Sequence, residues 1–135
     1  IDSEQVHATD KVVEQVKKFK DENSDIFSEL CSEEERLVTK ALESMKSNDL
    51  ETMGKCMAQN QIYLEQIGVS NDILLSITKE IEQITFGAKI TGAGGGGCII
   101  ALTQKDNDLS EFMNTTKYQT YNVSIQKTGM QVFNR

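Results

Sequence analysis

Apolar residues recur at helical spacing over the first two thirds of the chain and at strand spacing in the last third, and the period changes at Gly87. Val12, Val13, Val16 and Phe19 predict a helix that Thr9 or Asp10 caps and that ends near Asn23. Its late lysines, Lys17, Lys18 and Lys20, suit the negative end of the helix dipole. Ser24 is the expected cap of a second helix, striped by Phe27, Leu30, Cys31, Leu37, Val38, Ala41, Leu42 and Met45, with a possible break around Ser32. Asn48 and Asp49 end that helix and cap a third, which carries Leu50, Met53, Met57, Leu64 and Ile67 and stops at Gly68. Ser70 or Asn71 caps a fourth, with Ile73, Leu74, Ile77, Ile81 and Ile84 on one face.

Beyond Gly87, the short β-branched runs Ala88 to Thr91 and Cys98 to Leu102 read as buried strands. A polar connector over 104–107 leads to a short helix, Asp108 to Asn114, then to an alternating strand, Tyr118 to Ile125. Gly129 separates that strand from a last one, Met130 to Phe133. The economical assembly is α+β, an antiparallel sheet with helices packed on one side. At 135 residues the chain fits one domain. Ile1 to Ala8 has no period and begins without methionine, which reads as a cut.

Composition narrows the partners. A hydrophobic fraction of 38% with 26% charged residues describes a soluble globular chain. A net charge of −7 argues against a nucleic-acid face or an anionic membrane surface, while leaving room for a small anion held by backbone amides. The absence of a signal peptide or a spanning apolar run, with three unpaired cysteines, points to reduced thiols and a cytoplasmic location. Cys31, Cys56 and Cys98 are expected to be small buried hydrophobes, and Met53 and Met57 core filler. With His7 the only histidine, a zinc site lacks ligands, and Glu33-Glu34-Glu35 reads as a solvated face.

Between the two predicted strands lies Thr91-Gly92-Ala93-Gly94-Gly95-Gly96-Gly97-Cys98, where five glycines fall within six residues. Each glycine costs entropy to order, so such a run implies close approach to another backbone or a ligand; a flexible hairpin tip is the alternative. Gly92, Gly94 and Gly97 fit G-x-G-x-x-G literally, but a dinucleotide fingerprint opens a helix and wants an acidic residue about twenty positions on. Here a strand follows, and Glu111 comes too soon and on another element. A Walker A loop needs Lys and Ser or Thr where Cys98 and Ile99 stand, and no protein-kinase catalytic-loop motif is present.

The same octapeptide resembles the third, C-terminal motif of the GHMP kinases, the superfamily of galactokinases, homoserine kinases, mevalonate kinases and phosphomevalonate kinases. The resemblance is greatest to the mevalonate kinase family and extends over nearly the whole chain. It includes the helix start at Thr9, Asn60-Gln61, Leu64, Ile67-Gly68-Val69-Ser70 and the run from Lys89 to Cys98. Phosphomevalonate kinases typically carry Asp where Gly97 stands.

The resemblance implies a C-terminal domain of GHMP-kinase type, a ferredoxin-like variant. In the full-length enzyme it would work with ATP and Mg to phosphorylate the C5 hydroxyl of mevalonate, in isoprenoid and sterol biosynthesis. It also implies that the phosphate-binding loop, the catalytic residues and the metal ligands belong to an N-terminal ATP-binding domain absent from this chain. This chain then holds no catalytic residue and no metal ligand of its own. Gly92 to Gly97 would approach substrate and phosphates, and Ala93 would shape the mevalonate pocket. Thr91 and Thr9 would bond the ligand or make only a local cap or strand bond. Mevalonate, ATP and the missing domain are the implied partners, and an apolar face left bare by that domain could support a homodimer. Phosphomevalonate kinase, homoserine kinase and a non-catalytic interaction domain are the alternatives.

Overall fold

A computed structural model describes residues 1–6, 8–104 and 109–124. Four helices, α1 (Thr9–Glu22), α2 (Ser24–Ser47), α3 (Leu50–Gln66) and α4 (Asp72–Glu82), precede an antiparallel pair of strands, β1 (Gly87–Ile90) and β2 (Ile99–Leu102), and a short α5 (Ser110–Thr115). The helices pack on one side of the strand pair, so the α+β expectation holds. The core joins α4 to the strands through Leu74, Ile77, Ile81, Ala88, Ile90 and Ile99, with Val12, Val69 and Phe112 closing it. No described helix is long and apolar enough to cross a membrane.

Two caps differ from expectation. α1 starts after an extended Ala8 without a side-chain cap, so Thr9 and Asp10 already lie in its first turn, where the Asp10 carboxylate still meets the positive helix end. α2 follows Asn23 rather than Ser24 as its N-cap. The Asn23 amide is engaged elsewhere, its Nδ2 donating to the Phe19 carbonyl at 3.1 Å to close α1. No break occurs at Ser32; its hydroxyl donates to Ser28 O at 3.1 Å within the helix. Asp49 and Asn71 cap α3 and α4 as anticipated, and Gly68 ends α3 with φ +79°.

The stripe on α2 is not buried as the pattern predicts: Cys31, Val38, Leu42 and Met45 are exposed. α2 packs on α3 with a smaller contact to α1, and one neighbouring helix cannot cover a face that wide. Of the cysteines only Cys56 is buried. Cys98 is exposed because the strand alternates, with Ile99 inward and Ile100 outward, rather than being buried on both faces. Met57 is core, as expected, while Met53 is half-buried. Glu35 is exposed and Glu33 pairs with Arg36, but Glu34 is partly covered and accepts from Asn60 Nδ2 at 2.7 Å, tying α2 to α3.

The alternating segment after α5 is not a strand over 118–124; Gln119 makes one isolated bridge, and Tyr121 and Val123 are exposed. The edge of β2 is occupied instead by the first residues of the chain, which sequence periodicity left unassigned. Asp2 bridges Cys98 on one side and Gln119 on the other, and Ile99 N donates to Ile1 O at 2.8 Å. His7, Ile125, Gly129 and the strand expected at Met130 to Phe133 lie outside the described residues.

Candidate functional site: a glycine loop braced on three sides

The loop from Thr91 to Cys98 closes the β1–β2 hairpin, with Thr91 N donating to Cys98 O at 2.9 Å. Gly92, Gly94, Gly95 and Gly97 all have φ between +74° and +83°, a region that side chains enter only with strain. At Gly94 a side chain is also excluded by space, since a Cβ would lie 2.8 Å from Val69 Cβ and closer still to Val69 O. The loop is braced rather than a free tip.

Its first brace is α3, which runs alongside the outer edge of β1. Gly54 meets Phe86 and Gly87 backbone to backbone. Seven residues later along the helix, about 10 Å at 1.5 Å per residue, Gln61 stands beside Ile90, three strand residues and about 10 Å further on. Gln61 is 2% exposed, and its Oε1 accepts from Ile90 N at 2.9 Å. A side-chain carbonyl thus completes the strand edge just before the loop begins. Its Nε2 donates to Glu65 Oε1 at 2.9 Å, so both ends of the amide are satisfied. An Ile90 amide left without that acceptor would cost about 1–3 kcal/mol.

The turn between α3 and α4 is the second brace: Val69 O accepts from Gly95 N at 2.7 Å, and Asn71 Nδ2 donates to Gly95 O at 2.9 Å. The third is the N-terminal segment. Gly97 N donates to Gln5 O at 3.3 Å, Ser3 N to Gly97 O at 2.9 Å, and a Cβ on Gly96 would stand 2.5 Å from Gln5 O. Ser3 is fully buried under this contact.

These braces occupy the amides of Gly95 and Gly97. The amides of Gly92, Ala93, Gly94 and Gly96 make no hydrogen bond among the described residues, and a Cβ on Gly92 would meet nothing within 4 Å. The loop therefore holds several backbone donors, two of them at the buried Gly94 and Gly96, on a frame braced from three sides, an arrangement that suits an oxyanion. Thr91 is exposed at its start, and Thr9 lies four residues beyond Gln5, exposed at the start of α1. Neither hydroxyl makes a hydrogen bond among the described residues. Gln61 and Asn71 were not singled out as site residues. Asn71 was legible only as a cap, and a buried Gln at helical spacing gives no signal that it points at a strand edge.

Two grooves, about 360 and 200 Å³, lie between α2 and α3 on either side of the Glu34–Asn60 bond, and the glycine loop lines neither. Lys89 borders the smaller one; burial holds its pKa below the usual lysine range, Glu34 acts in the opposite direction, and its Nζ donates to Ile90 O at 2.8 Å. No group of three His, Cys, Asp or Glu side chains among the described residues could hold a metal ion.

The family model described as GHMP kinases C terminal matches residues 41–117, more than half of the chain and the whole of the braced loop. The mevalonate kinase of Thermococcus gammatolerans is 28% identical over 93% of this chain, which spans 40% of that relative. A galactokinase from Clostridium acetobutylicum is 35% identical over 62% of the chain, which spans 22% of it. The crystal structure of L. major mevalonate kinase in complex with R-mevalonate superposes with a TM-score of 0.75 at 29% identity, over 79% of this chain and 33% of that one. The chain thus spans well under half the length of these relatives. By the match over its α2–α5 region, this chain belongs to the C-terminal family of the GHMP kinases.

Proposed function

We propose that the chain is one domain, the C-terminal wall of the cleft of an ATP-dependent kinase that transfers the γ-phosphoryl group to the C5 hydroxyl of mevalonate. The observation that carries this reading is the set of four amides, at Gly92, Ala93, Gly94 and Gly96, held without partners among the described residues on a braced loop. Phosphoryl transfer depends on positioning and on neutralising charge spread over the phosphoryl oxygens. Fixed backbone donors supply that without reorganising during the reaction.

The residues fit an anionic phosphate but not its metal, so none in this chain is given a metal-ligating or catalytic role. Bound ATP and Mg supply the transferable group and its charge compensation; this chain contributes the opposite wall. Ala93 shapes the substrate pocket, and the hydroxyls of Thr91 and Thr9, without a bond among the described residues, are available to the ligand.

Mevalonate is favoured by the extent of the likeness to mevalonate kinases. A sugar kinase is the second reading, favoured by the higher identity to a galactokinase over a shorter span. Assaying ADP release from the intact protein with mevalonate, phosphomevalonate, homoserine and galactose in parallel separates them. Turnover is expected with mevalonate; turnover with galactose alone overturns the assignment. Residues 1–135 alone are expected to give no turnover, and measurable phosphorylation by them would refute the half-site reading.

A further inference from the structure

We propose that Asn71 is a positioning residue for phosphoryl transfer, orienting the Gly95–Gly96 peptide so that the Gly96 N–H faces the reacting phosphate. This rests on the reading of the glycine loop as a phosphate-facing wall. Asn71 uses both ends of its amide. Oδ1 accepts from Ile73 N at 3.1 Å and Leu74 N at 2.9 Å, capping α4, while Nδ2 donates to Gly95 O at 2.9 Å. The chemistry of the partners fixes this orientation: two backbone donors require the oxygen, and a carbonyl requires the nitrogen.

Capping alone needs no asparagine. Ser, Thr or Asp caps a helix as well, but ionised Asp has no donor, and the one O–H of Ser or Thr sits on the capping atom itself rather than on a second atom that reaches outward. That donor acts on a peptide which would otherwise be loosely held, since Gly95 has φ +74° and no side chain to anchor it. Val69 O takes the Gly95 N–H at 2.7 Å and Asn71 takes the Gly95 carbonyl, so one short turn grips both peptide units flanking Gly95.

No peptide bond among the described residues is cis, and in a planar trans peptide the N–H points opposite to the C=O. A Gly95 carbonyl directed at Asn71 therefore sends the Gly96 N–H to the other side. That N–H has no partner among the described residues. The helix cap and the loop are thus coupled through a single side chain. Ser70 Oγ, 3.5 Å from Gln61 Nε2, places the same turn beside the buried Gln61 that holds β1.

Three variants of the intact protein separate the two roles: Asn71→Ser and Asn71→Asp keep a cap and lose the donor, and Asn71→Ala loses both. Melting temperature, kcat, KM for ATP and mevalonate, and deuterium uptake over residues 92–97 are the readouts. Ser and Asp variants are expected to melt within ~2 °C of the parent. Their kcat should fall about tenfold or more while KM changes less than ~3-fold, as for loss of a donor used in the transition state. Uptake over 92–97 should rise while that over α4 stays put, and the uncharged Ser variant removes added charge as the cause. Parental kcat and uptake in Asn71→Ser, or a kcat loss that merely tracks melting temperature across all three, would overturn the proposal. If the intact parent does not phosphorylate mevalonate, that substrate reading fails on its own. Uptake over 92–97 then decides whether Asn71 holds the loop: a rise in the Ser variant keeps the positioning role, and parental uptake overturns it.

Discussion

Gly54→Ala is expected to lower the stability of the intact protein's C-terminal domain by about 3 kcal/mol, the upper end of what overpacking costs, and to drop its melting temperature by about 10 °C. The new Cβ would lie 2.6 Å from Phe86 Cβ and closer still to the Phe86 carbonyl. A Cβ on Gly87 would in turn stand 2.9 Å from Gly54 Cα, so at this crossing α3 and β1 touch backbone to backbone. No rotamer relieves such a contact; the helix must move away from the strand. Moving it pulls Gln61 off Ile90 N and loosens the strand that leads into the glycine loop. Activity should fall together with stability. A melting temperature within ~2 °C of the parent would show that the crossing is not close.

Gly97→Asp is expected to lower kcat/KM for mevalonate and ATP by tenfold or more, whereas Gly97→Asn should lower it only about 2- to 3-fold. Asn and Asp both tolerate the left-handed conformation at φ +77°, so the pair isolates charge from backbone strain. Like charges 4 Å apart repel by about 4 kcal/mol at an effective dielectric of 20, and a third of that is already tenfold in rate. Equal steady-state constants for Asp and the parent would mean that phosphates do not pass this part of the loop. Equal losses for Asp and Asn would assign the effect to strain.

Helix spacing made most of the fold legible, because a residue such as Leu74 or Ile81 announces its face by its neighbours three and four positions away. The failures came where a tertiary contact overrides a local signal. At the start of α2 a second local bond wins: the cap position is Asn23 rather than Ser24, and its side chain closes α1. Residues 1–3 have no period, yet they line the edge of β2, because Ile1 and Ser3 find backbone partners at Ile99 and Gly97. The breadth of the α2 stripe was readable, but not that α3 would cover only part of it.

The loop itself was conspicuous in the sequence, and the strand after it excluded the common nucleotide motifs. Its division of labour was not readable. Glycine composition cannot tell an amide given to Val69 or Gln5 from one left free, and Gln61 and Asn71 act through side-chain amides whose targets lie 29 and 24 residues away. Only the folded arrangement separates Gly95 and Gly97, which hold the loop, from Gly92, Gly94 and Gly96, whose amides have no partner among the described residues.

That separation is tested most directly by amide spectra of the intact protein labelled with 15N-glycine, recorded with and without mevalonate, ADP and aluminium fluoride as a mimic of the transferring phosphoryl group. The amides of Gly92, Gly94 and Gly96 are expected to move to markedly lower field, while those of Gly95 and Gly97, already bonded to Val69 and Gln5, change little. Unmoved Gly92, Gly94 and Gly96 signals in a protein saturated with the mimic would contradict the account.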